Sequence, residues 1–206
     1  NFCFDNRIFF KIFCMIKKVI ILGSTGSIGN TTLDIIKKNK NYKVVLLSAN
    51  KNIKKLLKQS IKFKVKYAII ENKIKYHKYK NLFNKNRIKL YLGFNNIKNI
   101  FQSKVSYCIN SIAGIDGLDP TLKIIPHTEK ILIANKESII CGWHIIKKKL
   151  DTHNTQFIPI DSEHFSIWNL LQNLSSNDIE KIYITASGGP FLNLPKKKFI
   201  NISVEK

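Results

Sequence analysis

From Lys18 onward the chain alternates short apolar runs with amphipathic stretches, and this alternation constrains the fold more than any other feature. Lys18–Leu22, Val44–Ser48, Tyr67–Ile70, Ile88–Leu92, Val105–Ile112 and Ile131–Ala134 read as strands. Ile28–Lys38, Asn52–Ile61, Gly117–Ile125 and Glu137–Leu150 read as helices, with Ile53, Leu56, Leu57 and Ile61 marking one apolar side. Apolar strands separated by helices belong to a parallel sheet covered on both faces, which is the α/β doubly wound pattern. The lysine-rich stretch 73–89 has the weakest pattern and is expected to carry loops.

The polar run DTHNTQ, starting at Asp151, breaks this alternation and marks a boundary. Beyond it a strand at Phe157–Ile160, a helix at His164–Leu174 and a strand at Ile182–Thr185 are expected, before a polar end. These roughly 50 residues are few for an independent domain and read as the start of a second, α+β domain that is cut off. Three segments result: 1–14, 15–150 and 151–206. The first begins with Asn1, ahead of the single Met15, and is expected to be upstream sequence or a leader remnant.

Composition narrows the class. No apolar run reaches the roughly 20 residues needed to cross a bilayer, so no membrane partner is expected. The net charge of +22 comes from 35 basic against 13 acidic residues, and of the basic ones only Arg7 and Arg87 are arginine. The lysines lie in every segment, as a compositional drift would leave them, and no nucleic-acid groove is expected. Such a chain still attracts anionic substrates. Cys3, Cys14, Cys108 and Cys141 form no C-x-x-C pair, which leaves neither a disulfide framework nor a zinc signature and fits a reducing compartment.

Two stretches carry chemistry. In ILGSTGSIGNTTLDII, Gly23, Gly26 and Gly29 follow a strand and open a helix. There Gly23 allows a sharp turn, Gly26 lets a phosphate approach the backbone, and Gly29 allows the helix to pack closely on the strand. The helix-start N–H groups, aided by the Ser24, Thr25 and Ser27 hydroxyls, suit a pyrophosphate. The alternative is a plain loop of small residues. An NAD site usually places an acid at the end of the second strand, but Ser48-Ala49-Asn50-Lys51-Asn52 has none, and Lys51 attracts a 2′-phosphate. That favours NADPH, unless Lys51 is simply one more lysine.

The second stretch is PIDSEH. On an extended segment Asp161 and Glu163 point to the same side and repel unless a cation lies between them. An all-oxygen site suits Mg²⁺ or Mn²⁺. The alternative is a helix start, with Asp161 as cap and Glu163 favouring the dipole. Ser162 lies between them. His164 is a ligand or a packing residue at the helix start. In TASGGPF, Ser187, Gly188 and Gly189 offer a hydroxyl and amides to a substrate phosphate, or form an ordinary turn. Asn135, Lys136, Glu137 and Ser138 follow another strand end, where such sheets bind ligands.

Taken together, GSTGSIGNTTLDII, GLDPTL, ILIANKES, PIDSEH and TASGGPF, in this order, resemble the 1-deoxy-D-xylulose 5-phosphate reductoisomerase family from about Met15 to Phe191. The resemblance implies a Rossmann-like cofactor domain over 15–150 and the beginning of a catalytic domain over 151–206. It implies NADPH- and metal-dependent conversion of 1-deoxy-D-xylulose 5-phosphate to 2-C-methyl-D-erythritol 4-phosphate in the non-mevalonate isoprenoid pathway. Gly23, Thr25, Gly26, Ser27 and Ile28 would line the pyrophosphate turn. Asn50, Lys51 and Asn52 would contact the adenosine phosphate, although many relatives have glycine where Asn50 stands. Asn135, Lys136 and Glu137 would make further cofactor contacts. Asp161 and Glu163 would supply two of three metal carboxylates, while Ser162, Glu163 and Ser187 would contact substrate. Lys136 and Glu163 are the catalytic candidates. A homodimer is implied, in a bacterial cytoplasm or a plastid-like organelle. The family's later H-P-N-W-x-M-G segment, lid, Asn-Lys pair and third metal Glu do not follow before Lys206, so this piece by itself is expected to be inactive. Two other readings make different demands: an NADPH-dependent aldehyde dehydrogenase needs a catalytic Cys or Lys and no metal, and a basic nucleic-acid module is indifferent to NADPH.

Overall fold

The computed structural model describes residues 16–183 and 193–201. Contacts divide the chain into two compact units, residues 1–165 and 166–206. In the first, β1 (Lys17–Leu22), β2 (Tyr42–Ala49), β3 (Tyr67–Ile70), β4 (Lys89–Leu92), β5 (Val105–Asn110), β6 (Thr128–Ile133) and β7 (Gln156–Pro159) form one sheet. Their order is β4-β3-β2-β1-β5-β6-β7, and every pairing is parallel. The chain builds outward from β1 to β4, then returns to lay β5 on the other side of β1. The sheet therefore reverses its direction of growth between β1 and β5, and the C-terminal strand ends open a crevice there.

Alternate strand residues fill two separate cores. Val19 and Ile21 face one, together with Leu33 of α1 (Ser27–Lys38), Leu56 of α2 (Ile53–Lys62) and Phe83 of α3 (Lys73–Lys85). Ile20 and Leu22 face the other, with Ile124 of α4 (Leu118–Ile124) and Ile146 and Leu150 of α5 (Lys136–Thr152). Both faces are apolar because both are covered, as the parallel arrangement demands.

Several expectations need correction. The stretch 73–89 is mostly helix, not loop: Asn72 accepts the Lys75 amide at 2.9 Å and starts α3. Its core side is a stripe of Tyr76, Tyr79 and Phe83, aromatic residues at helical spacing hidden among lysines. In α2 the buried side runs through Ile53, Leu56, Gln59 and Ser60, whereas Ile61 is exposed. The strand beginning at Val105 stops at Asn110, because that buried side chain turns to donate to Gly117 O and Thr121 Oγ1 at 3.0 and 2.6 Å.

The last helix, α6 (Ser162–Leu170), is shorter than the expected His164–Leu174 and starts two residues earlier. In the second unit, short 3₁₀ turns occur at Ser176–Asp178 and Lys196–Asn201. Ile182 and Tyr183 belong to no strand, and the rest of the run expected there, with Ser187, Gly188 and Gly189, lies outside the described residues. Among the described residues no helix is long and apolar enough to cross a membrane.

Candidate functional site

The glycine turn joins β1 to α1 at the reversal point of the sheet. Gly23 has φ +73°, and a Cβ there would lie 2.8 Å from Ser111 O at the end of β5. Glycine is required on both counts. A Cβ on Gly29 would lie 2.6 Å from both Gly23 O and Ser24 Cα. Gly29 thus lets α1 sit directly against the turn backbone that follows β1. Gly26 caps α1 without a side-chain hydrogen bond, and no acid stands in the first turn. The helix start is left as an anion-binding end. Ser27 and Ile28 are exposed there. The Ser24 hydroxyl, expected to face phosphate, is wholly buried and donates to Ser48 O and Gln59 Oε1 at 3.2 and 2.9 Å. Only the Thr25 and Ser27 hydroxyls remain on the outside.

A cleft of about 790 Å³ lies beside this turn, bounded by Thr25 and Gly26, by Asn50, Lys51 and Asn52, and by Ile112 across from them. Asn52 caps α2 by accepting the Lys55 amide at 3.2 Å. Lys75 Nζ donates to Lys51 O, which ties the 50–52 segment to α3. No carboxylate stands within 48–52. Glu71, at the cleft wall, has its carboxyl pushed up by partial burial and next by Asp119, with Lys123 opposing and Asp116 adding.

Asn135 precedes α5, close to the cleft wall at Ile112. It is 5% exposed, and its Nδ2 donates to Ile112 O and Gly114 O at 2.7 and 3.1 Å. Two carbonyls around one end fix the amide orientation. The Oδ1 atom is then buried without a partner, an arrangement that costs about 1–3 kcal/mol unless a donor arrives. Lys136 and Glu137 are exposed on the first turn of α5.

The carboxylates lie just past β7. The segment is not extended. Asp161 caps α6, accepting the His164 amide at 3.0 Å and facing His164 Nδ1 at 2.7 Å, both through Oδ1. Glu163 stands in the first helical turn, so proximity to Asp161 comes from the helix start and not from strand alternation. Burial alone would raise the Asp161 carboxyl, but the His164 amide and ring outweigh it and hold it below its ordinary value. Glu163 is also lowered, first by its own amide and then by the Ser162 hydroxyl at 2.9 Å. Lys136 lowers it further, while Asp161 opposes. Lys136 and Glu163, 27 positions apart by number, thus come within electrostatic reach. Capping and cation binding do not compete, because they use different oxygens. Asp161 Oδ2 is buried and has no partner. Such an atom, with the Glu163 carboxylate nearby, fits a hard cation taking oxygen ligands. Among the described residues no three His, Cys, Asp or Glu side chains gather as a metal set.

Reasoning from sequence passed over Gln59, Ser111 and Glu71. For Gln59 a signal existed: it is a polar residue on the apolar side of α2, after Ile53 and Leu56.

A parallel sheet with direction reversed beside a glycine turn and an uncapped helix start defines a Rossmann-like α/β protein that takes its ligand at the C-terminal strand ends. The family model described as 1-deoxy-D-xylulose 5-phosphate reductoisomerase matches residues 19–142, and that of the reductoisomerase C-terminal domain matches 157–206. The chain belongs to the 1-deoxy-D-xylulose 5-phosphate reductoisomerase family. The reductoisomerase of Pelagibacter ubique (strain HTCC1062) is 53% identical over 192 residues, which are 92% of this chain and 50% of that protein. That of Clostridium novyi (strain NT) is 41% identical over 194 residues, 92% of this chain and 50% of that protein. The chain thus spans about half the length of these relatives. The Zymomonas mobilis reductoisomerase in complex with NADPH superposes with a TM-score of 0.74 at 31% identity, covering 87% of this chain and 48% of that one. A reductoisomerase in complex with NADPH, fosmidomycin and magnesium also gives 0.74 at 30% identity, covering 92% and 50%.

Proposed function

We propose that the protein carrying this chain converts 1-deoxy-D-xylulose 5-phosphate to 2-C-methyl-D-erythritol 4-phosphate, using NADPH and a divalent cation, Mn²⁺ or Mg²⁺, in the non-mevalonate isoprenoid pathway. The observation that carries the reading is Asp161, whose Oδ1 is spent on capping α6 while the buried Oδ2 beside Glu163 has no partner. Relatives captured with NADPH and magnesium support it. When bound, the cation would act as a Lewis acid toward substrate oxygens and the reduced nicotinamide would give hydride.

In this reading the chain's own residues bind and orient. Thr25, Gly26, Ser27 and Ile28 hold the pyrophosphate at the positive end of α1. Asn50, Lys51 and Asn52 hold the adenosine phosphate, where a carboxylate would repel it. Asn135 offers its orphan Oδ1 to a donor on the cofactor. Lys136 offsets the charge concentrated by Asp161 and Glu163, and Ser162, Glu163 and Ser187 meet the sugar phosphate. Residues 15–150 form the cofactor domain and 151–206 begin the catalytic one. The proposal extends to a homodimer of the full-length chain.

The full-length protein, mixed with 1-deoxy-D-xylulose 5-phosphate, should consume NADPH when Mn²⁺ or Mg²⁺ is present and stop when the metal is chelated. Undiminished consumption in chelator, or none with this substrate under either metal, would falsify the reading.

A further inference from the structure

The back of the phosphate turn is held by side chains. Gln59, 8% exposed on α2, donates through Nε2 to Ser24 O at 2.9 Å and to Asn30 Oδ1 at 3.0 Å. Its Oε1 accepts the Ser24 hydroxyl at 2.9 Å. Both N–H donors and one acceptor site are therefore used, and the carbonyl beside Nε2 fixes which end is nitrogen. Asn30, held by Gln59, donates in turn to Thr25 O and Gly26 O at 3.2 and 2.5 Å. Lys55, also on α2, donates to Thr25 O at 3.0 Å.

Three successive carbonyls, those of Ser24, Thr25 and Gly26, are thus drawn toward side-chain donors. A trans peptide unit is planar, with C=O and the following N–H pointing in opposite directions. Pulling the Ser24 and Gly26 carbonyls one way aims the Thr25 and Ser27 amides the other way. We propose that Gln59 is a positioning residue for the cofactor pyrophosphate: it never touches the ligand, but presets the direction of the turn amides that do. This inference rests on the NADPH reading above. It differs from ordinary core packing in one respect. The segment 50–52 has its own support, the Asn52 cap and the Lys75 tie, so losing Gln59 should disturb the pyrophosphate end and spare the 2′-phosphate end.

The test is calorimetric binding of NADPH and of adenosine 2′-monophosphate, which lacks the pyrophosphate, to the full-length protein and its Gln59→Met variant. The Met side chain keeps the volume and removes all three hydrogen bonds. NADPH affinity should fall about tenfold, while adenosine 2′-monophosphate affinity stays within about twofold. Unchanged NADPH affinity, or equal loss of both ligands, overturns the proposal. If Gln59→Met does not fold, Asn30→Ala, which removes the amide through which Gln59 reaches the Thr25 and Gly26 carbonyls, must show the same split, and its absence overturns the proposal equally. A wild-type protein that binds neither ligand sinks the NADPH reading itself, whereas a wild type that binds both beside an unaffected variant sinks only the role of Gln59.

Discussion

A methyl group on Gly29 has two opposing effects. Alanine is favoured over glycine inside a helix by about 1 kcal/mol. At this position, however, the added carbon would sit 2.6 Å from Gly23 O and Ser24 Cα, backbone atoms that have no rotamer to retreat into. Overpacking against a fixed neighbour costs about 1–3 kcal/mol and here sets the sign. Gly26, which lines the cleft, differs: a Cβ there meets only Gly23 O, at an ordinary 3.4 Å. Gly29→Ala should lower the melting temperature by about 2–4 °C for each kcal/mol lost. Gly26→Ala should melt like the wild type yet bind NADPH about tenfold more weakly, one displaced charge-assisted contact being worth that much. Circular dichroism melts and cofactor titrations on the two variants check this, and a Gly29→Ala protein as stable as wild type would mean that α1 is not seated on the turn. The glycine spacing was legible in sequence because it is local. The direction of the Ser24 hydroxyl was not, because Gln59, its partner, lies 35 residues on in another helix.

At the scale of elements, the end of α5 shows how a lysine-rich chain uses its charge. Lys104, just before β5, donates to His153 O, to Asn154 O at 3.3 Å and to Thr155 Oγ1 at 3.4 Å. A cation there meets the negative end of the helix and satisfies carbonyls that have no helical partner. Lys147 and Asp151, on the same helix, form an exposed i,i+4 pair at 2.6 Å, and such pairs contribute only about 0.3–0.5 kcal/mol. Lys104→Met should therefore cost about 1–2 kcal/mol, and Lys147→Met well under half of that. Urea unfolding of the two variants measures the difference, and equal losses would show that Lys104 is merely another surface lysine. Element type was legible wherever aliphatic residues kept a period, as in β3. It was lost in α3, where the stripe is aromatic and lysines crowd the remaining faces. The order of strands was not legible, since apolar periodicity states that a face is covered and not by what. The Asp161 cap is not legible in sequence, because an aspartate two residues before a glutamate suits both a helix start and a cation.

Across the whole molecule the two halves of the proposed chemistry share one sheet edge without touching. The phosphate turn follows β1 and Asp161 follows β7, with β5 and β6 between them. Three interstrand steps of about 4.8 Å place them about 14 Å apart. That separation exceeds the Debye length of about 8 Å at physiological salt, so a charge gained or lost at Asp161 is weakly felt at the pyrophosphate. A dinucleotide held at the turn must nevertheless reach along the edge, past Asn135 at the end of β6, to bring its nicotinamide toward the carboxylates. Turnover and cofactor affinity should then separate cleanly. Chelating the metal from the full-length enzyme, or the substitution Asp161→Asn, should abolish turnover while the NADPH dissociation constant stays within about twofold, because about 14 Å of screened separation leaves little coupling. An asparagine at this position still caps α6 through its side-chain oxygen, so the variant should keep its fold while losing the charge and the Oδ2 atom offered to the cation. Should NADPH affinity instead fall in step with activity, the cation and the cofactor would have to meet directly, and the strand-by-strand separation drawn from this sheet would not describe the working site.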